Sequence, residues 1–245
     1  MSDVIGGKGK KNRNKKFDNL IGPTDQKVDH EARERLIGAR ISLLLKHSFF
    51  GNLATRLVLT NADEWCGTAA TDGQKFYYNS RFIMLLKPKE VEFLVGHEVL
   101  HVVYDHMGRR DNRDPQIWNI ADDYAVNADL KRHRIGQFIT TVPCLYEAKY
   151  DGKAAEEIYD DLMQNAQKIS IDDLIDQMID DHLDGDDESE ADGDGKESDK
   201  DGKGKRPKMS PEERERVRQE VKQAIINAAQ SAEAGSLPKG VERLI

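Results

Sequence analysis

The chain has 245 residues, a charged fraction of 33% and a formal net charge of −8. That length carries one mid-sized domain with appendages, and no run of about 18 apolar residues exists to span a membrane. The two cysteines, Cys66 and Cys144, lie far apart and have no Cys-x-x-Cys neighbour. They exclude a disulfide framework and a thiolate zinc site, and they fit a reduced, cytoplasmic setting.

The charge is local. Residues 180–204 contain 12 acids and 3 lysines, so that tract carries −9 and the remainder sums to +1. In chain order, residues 1–25 are polar and basic and read as a disordered arm. They lack the apolar core of a secretory signal. No aromatic is interleaved among the basic residues before Phe17, so a solvated tail is expected rather than a nucleic-acid contact. Leu36, Ala39, Leu43, Leu44 and Leu45 recur at three- and four-residue spacing and predict a helix from Asp29 to Phe50, stopped by Gly51. Residues 55–62 read as a strand. Residues 67–80 read as a hairpin turning at Asp72-Gly73, with Phe76, Tyr77 and Tyr78 as strand formers.

Pro88 suits the first turn of a helix, expected from Lys89 to Asp105 or His106 with Gly108 beyond its end. A further helix is expected over 115–129, with Ile117, Ile120, Ala121, Tyr124 and Ala128 on one stripe. Residues 154–166 and 170–183 predict two more. Residues 184–208, rich in Asp, Gly and Lys and almost devoid of apolar side chains, read as a disordered linker. The tract lacks the sixth-position glycine of a calcium loop. Ser210-Pro211-Glu212-Glu213 starts a last helix, running to Ala234 and stopped by Gly235. The expected organisation is therefore an arm (1–25), one domain (26–183), an acidic linker (184–208) and a C-terminal helical segment (209–245).

The segment VGHEVLHVVYDHMGRR (95–110) holds three of the seven histidines. His97-Glu98-Val99-Leu100-His101 is an H-E-x-x-H pattern. On a helix, positions i and i+4 differ by roughly 40° in azimuth, so both imidazoles leave one face about a turn apart and can reach one zinc ion. Glu98, rotated by about 100°, falls beside the metal and within reach of a metal-bound water, as a general base requires. A catalytic zinc needs a third protein ligand. His106, on a continuous helix, points about 180° away from His97 and could ligate only after a break. Asp122 and Asp123 on the next helix are the other candidates. Asp123 is favoured, because Tyr124 on the buried stripe adjoins it and Asn127 shares its face as a partner that could orient it. Asp122 and His106 remain the alternatives.

These residues resemble a known family, the putative metallopeptidase domain of bacterial and phage proteins, often followed by a von Willebrand factor A-like domain. The resemblance is carried by ARERLIGARISLLLKHSFFGNLA (32–54), TAATDGQKFYYNSRF (68–82), LVGHEVLHVVYDHMGRR (94–110), RDPQIWNIADDYAVNADL (113–130) and YDGKAAEEIYDDL (150–162). It covers about residues 30–165, and this sequence ends at Ile245. The resemblance implies an α+β, zincin-like core in which a small antiparallel sheet or hairpin packs on the active-site helix. It implies zinc ligation by His97 and His101 and general-base duty for Glu98. The aspartate of the family's A-x-D-Y-x-x-N run falls on Asp123, and its asparagine on Asn127.

The expected function is zinc-dependent hydrolysis of peptide bonds, with a peptide or protein substrate laid as a strand against the 67–80 hairpin. One rival is a non-catalytic zinc-containing interaction module that holds a protein partner through the acidic linker and C-terminal helix. The other is a nucleic-acid-associated phage or stress protein using the basic arm.

Overall fold

A computed structural model describes residues 15–165, 170–179, 209–232 and 237–242. Most of the expected arm, the acidic linker, the end of the 170–183 helix and Gly235 lie outside the described residues. Residues 15–25, expected to belong to the arm, are packed on the domain instead. Lys15–Leu20 forms a 3-10 turn. Phe17 is buried, its ring 5.1 Å from that of Phe82 in an edge-on contact. The Arg81 guanidinium donates to the carbonyls of Leu20 and Pro23. One buried aromatic and one arginine gathering backbone acceptors tie this segment to the domain.

Helix α1 spans Gln26–Lys46 and buries Ala32, Leu36, Ala39 and Leu43; of the expected stripe, Leu44 and Leu45 are exposed instead, because three consecutive positions cannot all face one side of a helix. Asp25 caps it by accepting from the Lys27 N–H at 2.7 Å. The chain turns at His47 and continues as α2, Ser48–Arg56. Gly51 therefore does not stop a helix; it lies inside α2. A Cβ there would sit 2.2 Å from the Leu44 Cα, so glycine is what lets the two helices meet at this corner.

Three strands follow: β1 (Val58–Asn61), β2 (Ala69–Thr71) and β3 (Lys75–Tyr78). Their order is β1-β3-β2. The hairpin is the expected one. Gly73 takes φ +85°, and Asp72 Oδ1 accepts from the Gln74 and Lys75 amides. The sheet is mixed rather than wholly antiparallel, because β1 joins β3 in parallel. Asn79 caps the short α3 (Ser80–Leu85) by accepting from the Phe82 amide.

Helix α4, Pro88–Val103, runs through the core; Val91, Phe93, Leu94, Val95, Val99 and Leu100 are all buried. In its first turn Glu90, 0% exposed, accepts from the Lys87, Thr140 and Thr141 amides and both threonine hydroxyls. Burial acts to raise its pKa, but the hydrogen bonds outweigh that and bring it down to about 2. A four-residue helix, α5 (His106–Arg109), precedes α6 (Pro115–His133), whose Asp114 cap accepts from the Gln116 and Ile117 amides.

Helices α7 (Ala155–Asn165) and α8 (Ile171–Ile175) cover the far face of α6. There Trp118, Ile120, Ala121, Tyr124, Ile158 and Leu162 form a second apolar cluster. Helix α9, Pro211–Gln230, begins at the expected Ser210 N-cap, where the Ser210 hydroxyl accepts from the Glu213 amide and the Glu213 carboxylate accepts from the Ser210 amide. It buries Val217, Ala224, Ile225 and Ala228, and Arg218 pairs with Asp105 at 3.0 Å. A last turn, α10, covers Lys239–Glu242. The fold is α+β: mostly helical around a small three-stranded sheet. Among the described residues no helix is long and apolar enough to cross a membrane.

Candidate metal centre

Helix α4 brings His97, Glu98 and His101 into the protein interior at 0%, 1% and 6% exposure. The helix ends at Val103 rather than at Asp105 or His106. Asp105 then takes a left-handed backbone, φ 50°, and the chain restarts at His106. The expected orientation of His106, facing away from the pair, is corrected by this turn. No glycine makes the break; aspartate is among the few other residues that tolerate positive φ. The turn swings His106 back until its Nδ1 is 3.1 Å from His101 Nδ1. Trp118 Nε1 donates to the His106 carbonyl at 3.0 Å and holds the restart in place.

Helix α6 crosses α4 and contributes Asp122, Asp123 and Asn127, all buried. Asp123 Oδ1 lies 3.6 Å from His97 Nε2 and 3.5 Å from His101 Nε2. The two Nε2 atoms are 3.0 Å apart. A tetrahedral zinc with bonds of about 2.0–2.1 Å separates its ligand atoms by roughly 3.3–3.4 Å. The three edges bracket that value, so the donor set and its spacing fit a small divalent cation. Asp122, rotated by about 100° on the same helix, faces His106 instead, with Oδ1 3.6 Å from Nε2. Among the described residues two groups could thus hold a metal ion, His97–His101–Asp123 and His101–His106–Asp122, and they share His101.

Asn127, expected beside Asp123, meets His97. Its Oδ1 lies 2.9 Å from His97 Nδ1, and its Nδ2 donates to the Leu145 carbonyl at 3.0 Å. The second bond fixes which end of the amide faces the ring. Because that end can only accept, a neutral His97 carries its proton on Nδ1 and turns the Nε2 lone pair toward His101 and Asp123. At the end of α4, Tyr104 donates to Asp129 at 2.7 Å; burial, and then the Asp129 charge, hold its pKa far above the usual phenol range. Tyr104 is therefore a fixed neutral donor.

Sequence spacing singled out His97, His101, Asp122 and Asp123, whose side chains the fold brings close to one another, and Glu98, which is buried beside His97 on α4. It missed the approach of His106 to His101 and the part of Leu145. The usable signal for His106 was the aspartate immediately before it; Leu145 carries no signal, because its carbonyl is supplied by a loop.

The family model described as "putative metallopeptidase domain" matches residues 31–245. No curated protein and no solved structure matches the chain.

Proposed function

The chain belongs to the putative metallopeptidase domain family, and from that premise we propose that it is a zinc-dependent metallopeptidase hydrolysing peptide bonds. The observation that carries the reading is the buried triangle of His97 Nε2, His101 Nε2 and Asp123 Oδ1, with sides of 3.0–3.6 Å. These three residues would hold the zinc. Bound there, zinc supplies Lewis acidity and makes water acidic enough to ionise near neutral pH.

The remaining roles fall to the chain. Glu98, next to His97 on a rigid helix, is the general base: it accepts a proton from the attacking water and delivers it to the departing amine. Asn127 keeps the His97 ring turned with Nε2 inward. The hairpin is the candidate edge for a substrate strand. Its outer strand, β2, packs near α4, and Ala69, Ala70 and Thr71 are buried. A peptide that reaches Glu98 must displace its surroundings, which favours flexible, unfolded substrates over folded ones. A chain with two cysteines, far apart in sequence and outside any Cys-x-x-Cys pair, fits a reduced cytoplasm.

A second reading, a zinc-held interaction module without turnover, is favoured by one observation, the 1% exposure of Glu98. The Glu98→Gln variant separates the two. Assayed on an unstructured peptide library beside metal analysis, it is expected to keep its zinc and lose about 10²–10⁴-fold in rate. Equal rates in variant and wild type would contradict the role of Glu98. A wild type that holds zinc and cleaves nothing would be the module.

A further inference from the structure

We infer that His106, backed by Asp122, is a positioning residue that fixes the His101 ring for metal binding. The inference rests on the proposed zinc centre and concerns residues that the centre itself does not use. His101 Nε2 faces His97 Nε2 and Asp123. For that nitrogen to offer a lone pair, the neutral ring must carry its proton on Nδ1. An N–H buried this deeply needs an acceptor, and His106 Nδ1 is 3.1 Å away. His106 Nδ1 can accept only if its own proton sits on Nε2. That nitrogen faces Asp122 Oδ1 at 3.6 Å, a carboxylate that attracts it. The roles run in one direction, from the metal-facing nitrogen to a buried acid.

The device mirrors the one on the other histidine. His97 donates its Nδ1–H to Asn127 Oδ1, and that amide is anchored on the Leu145 carbonyl. His101 donates its Nδ1–H to His106 Nδ1, and the His106 ring neighbours those of Tyr104 and Trp118 at 5.5 and 6.2 Å. The left-handed Asp105 is what delivers His106 to this place. A second cation on His101, His106 and Asp122 is the rival arrangement. It would require His101 to shed its Nδ1 proton while Nε2 also binds a metal, leaving a bridging anion where a neutral ring suffices.

The test uses the full chain as wild type, His106→Phe and His106→Asn. Phenylalanine keeps a ring against Trp118 but offers no acceptor; asparagine returns an acceptor oxygen near the place of Nδ1. Zinc affinity is read by competition with a chromophoric chelator, and ring protonation by proton–nitrogen correlation spectra of the zinc-loaded wild type. The expected result is one zinc in the wild type, with His101 protonated on Nδ1 and His106 on Nε2. His106→Phe should bind zinc about 10–100-fold more weakly, and His106→Asn should restore most of the loss.

Wild-type affinity in His106→Phe would overturn the proposal and reduce the ring to packing. Two zinc ions in the wild type with one lost in His106→Phe would overturn it in favour of a second seat. Either failure leaves the first zinc and the Glu98 dependence intact. A folded wild type without zinc would instead defeat the metal-centre reading, and this inference with it.

Discussion

Helix α4 carries two buried polar centres, and they are completed in opposite ways. Near its start, Glu90 is surrounded by donors: the amides of Lys87, Thr140 and Thr141 and both threonine hydroxyls, at 2.5–3.2 Å. The protein itself answers that charge, and the centre pins the loop around residues 140–141 to the helix. Two turns further on, His97 Nε2, His101 Nε2 and Asp123 Oδ1 converge within 3.6 Å of one another. The outer nitrogen of His97 has its acceptor in Asn127 and that of His101 faces His106, so the inner atoms are left to share a common point. A buried carboxylate ringed by N–H and O–H groups is structural; a buried carboxylate gathered with two histidine nitrogens is built for a cation.

The largest expected effect separates the centres by metal. Free zinc at about 1,000 times its dissociation constant should stabilise the fold by about 4 kcal/mol, seen as a rise in thermal midpoint that a chelator reverses. The same titration should leave the amide chemical shifts of Thr140 and Thr141, the donors to Glu90, unchanged. Next, Glu90→Gln should cost about 2–4 kcal/mol in denaturant unfolding, because donors lose their charged acceptor, with zinc affinity unaltered.

Acid sharpens that contrast. The folded Glu90 pKa, about 2, lies below its ordinary value of 4.5. A depressed carboxylate contributes stability that is fully present above the unfolded value and lost as pH falls through the folded one. Stability should therefore drop between about pH 5 and pH 2, and Glu90→Gln should flatten the fall in that window. Smaller again, Asn127→Ala should weaken zinc binding about 10–100-fold by chelator competition, while Asn127→Asp, which keeps an acceptor, should weaken it less. The smallest effect belongs to Arg218→Ala. Its pair with Asp105 is half-exposed, so unfolding should shift by less than about 1 kcal/mol.

What could be read from sequence was whatever short-range chemistry decides. The i, i+4 histidines, the Asp72-Gly73 turn, Pro115 at the start of α6 and the Ser210 N-cap each follow from neighbours within four residues, and each stands where it was expected. The misreadings needed tertiary contacts. Gly51 looked like a helix stop, yet it is the point where α1 and α2 touch. Residues 15–25 looked like a tail, until Phe17 met Phe82 and Arg81 met three carbonyls. The break before His106 is a backbone choice by Asp105, and periodicity alone extended the helix through it. Asp122 and Asp123 could be named as candidates, but only the crossing of α6 over α4 decides which neighbour each one faces.

The most direct measurement is zinc content, by elemental analysis, of the wild-type chain beside His97→Ala, Asp123→Ala and Asp122→Ala. The account predicts one zinc per chain in the wild type, none in the first two variants, and retention at weakened affinity in Asp122→Ala. Full retention in Asp123→Ala, or a folded wild type that takes up no zinc, would contradict it.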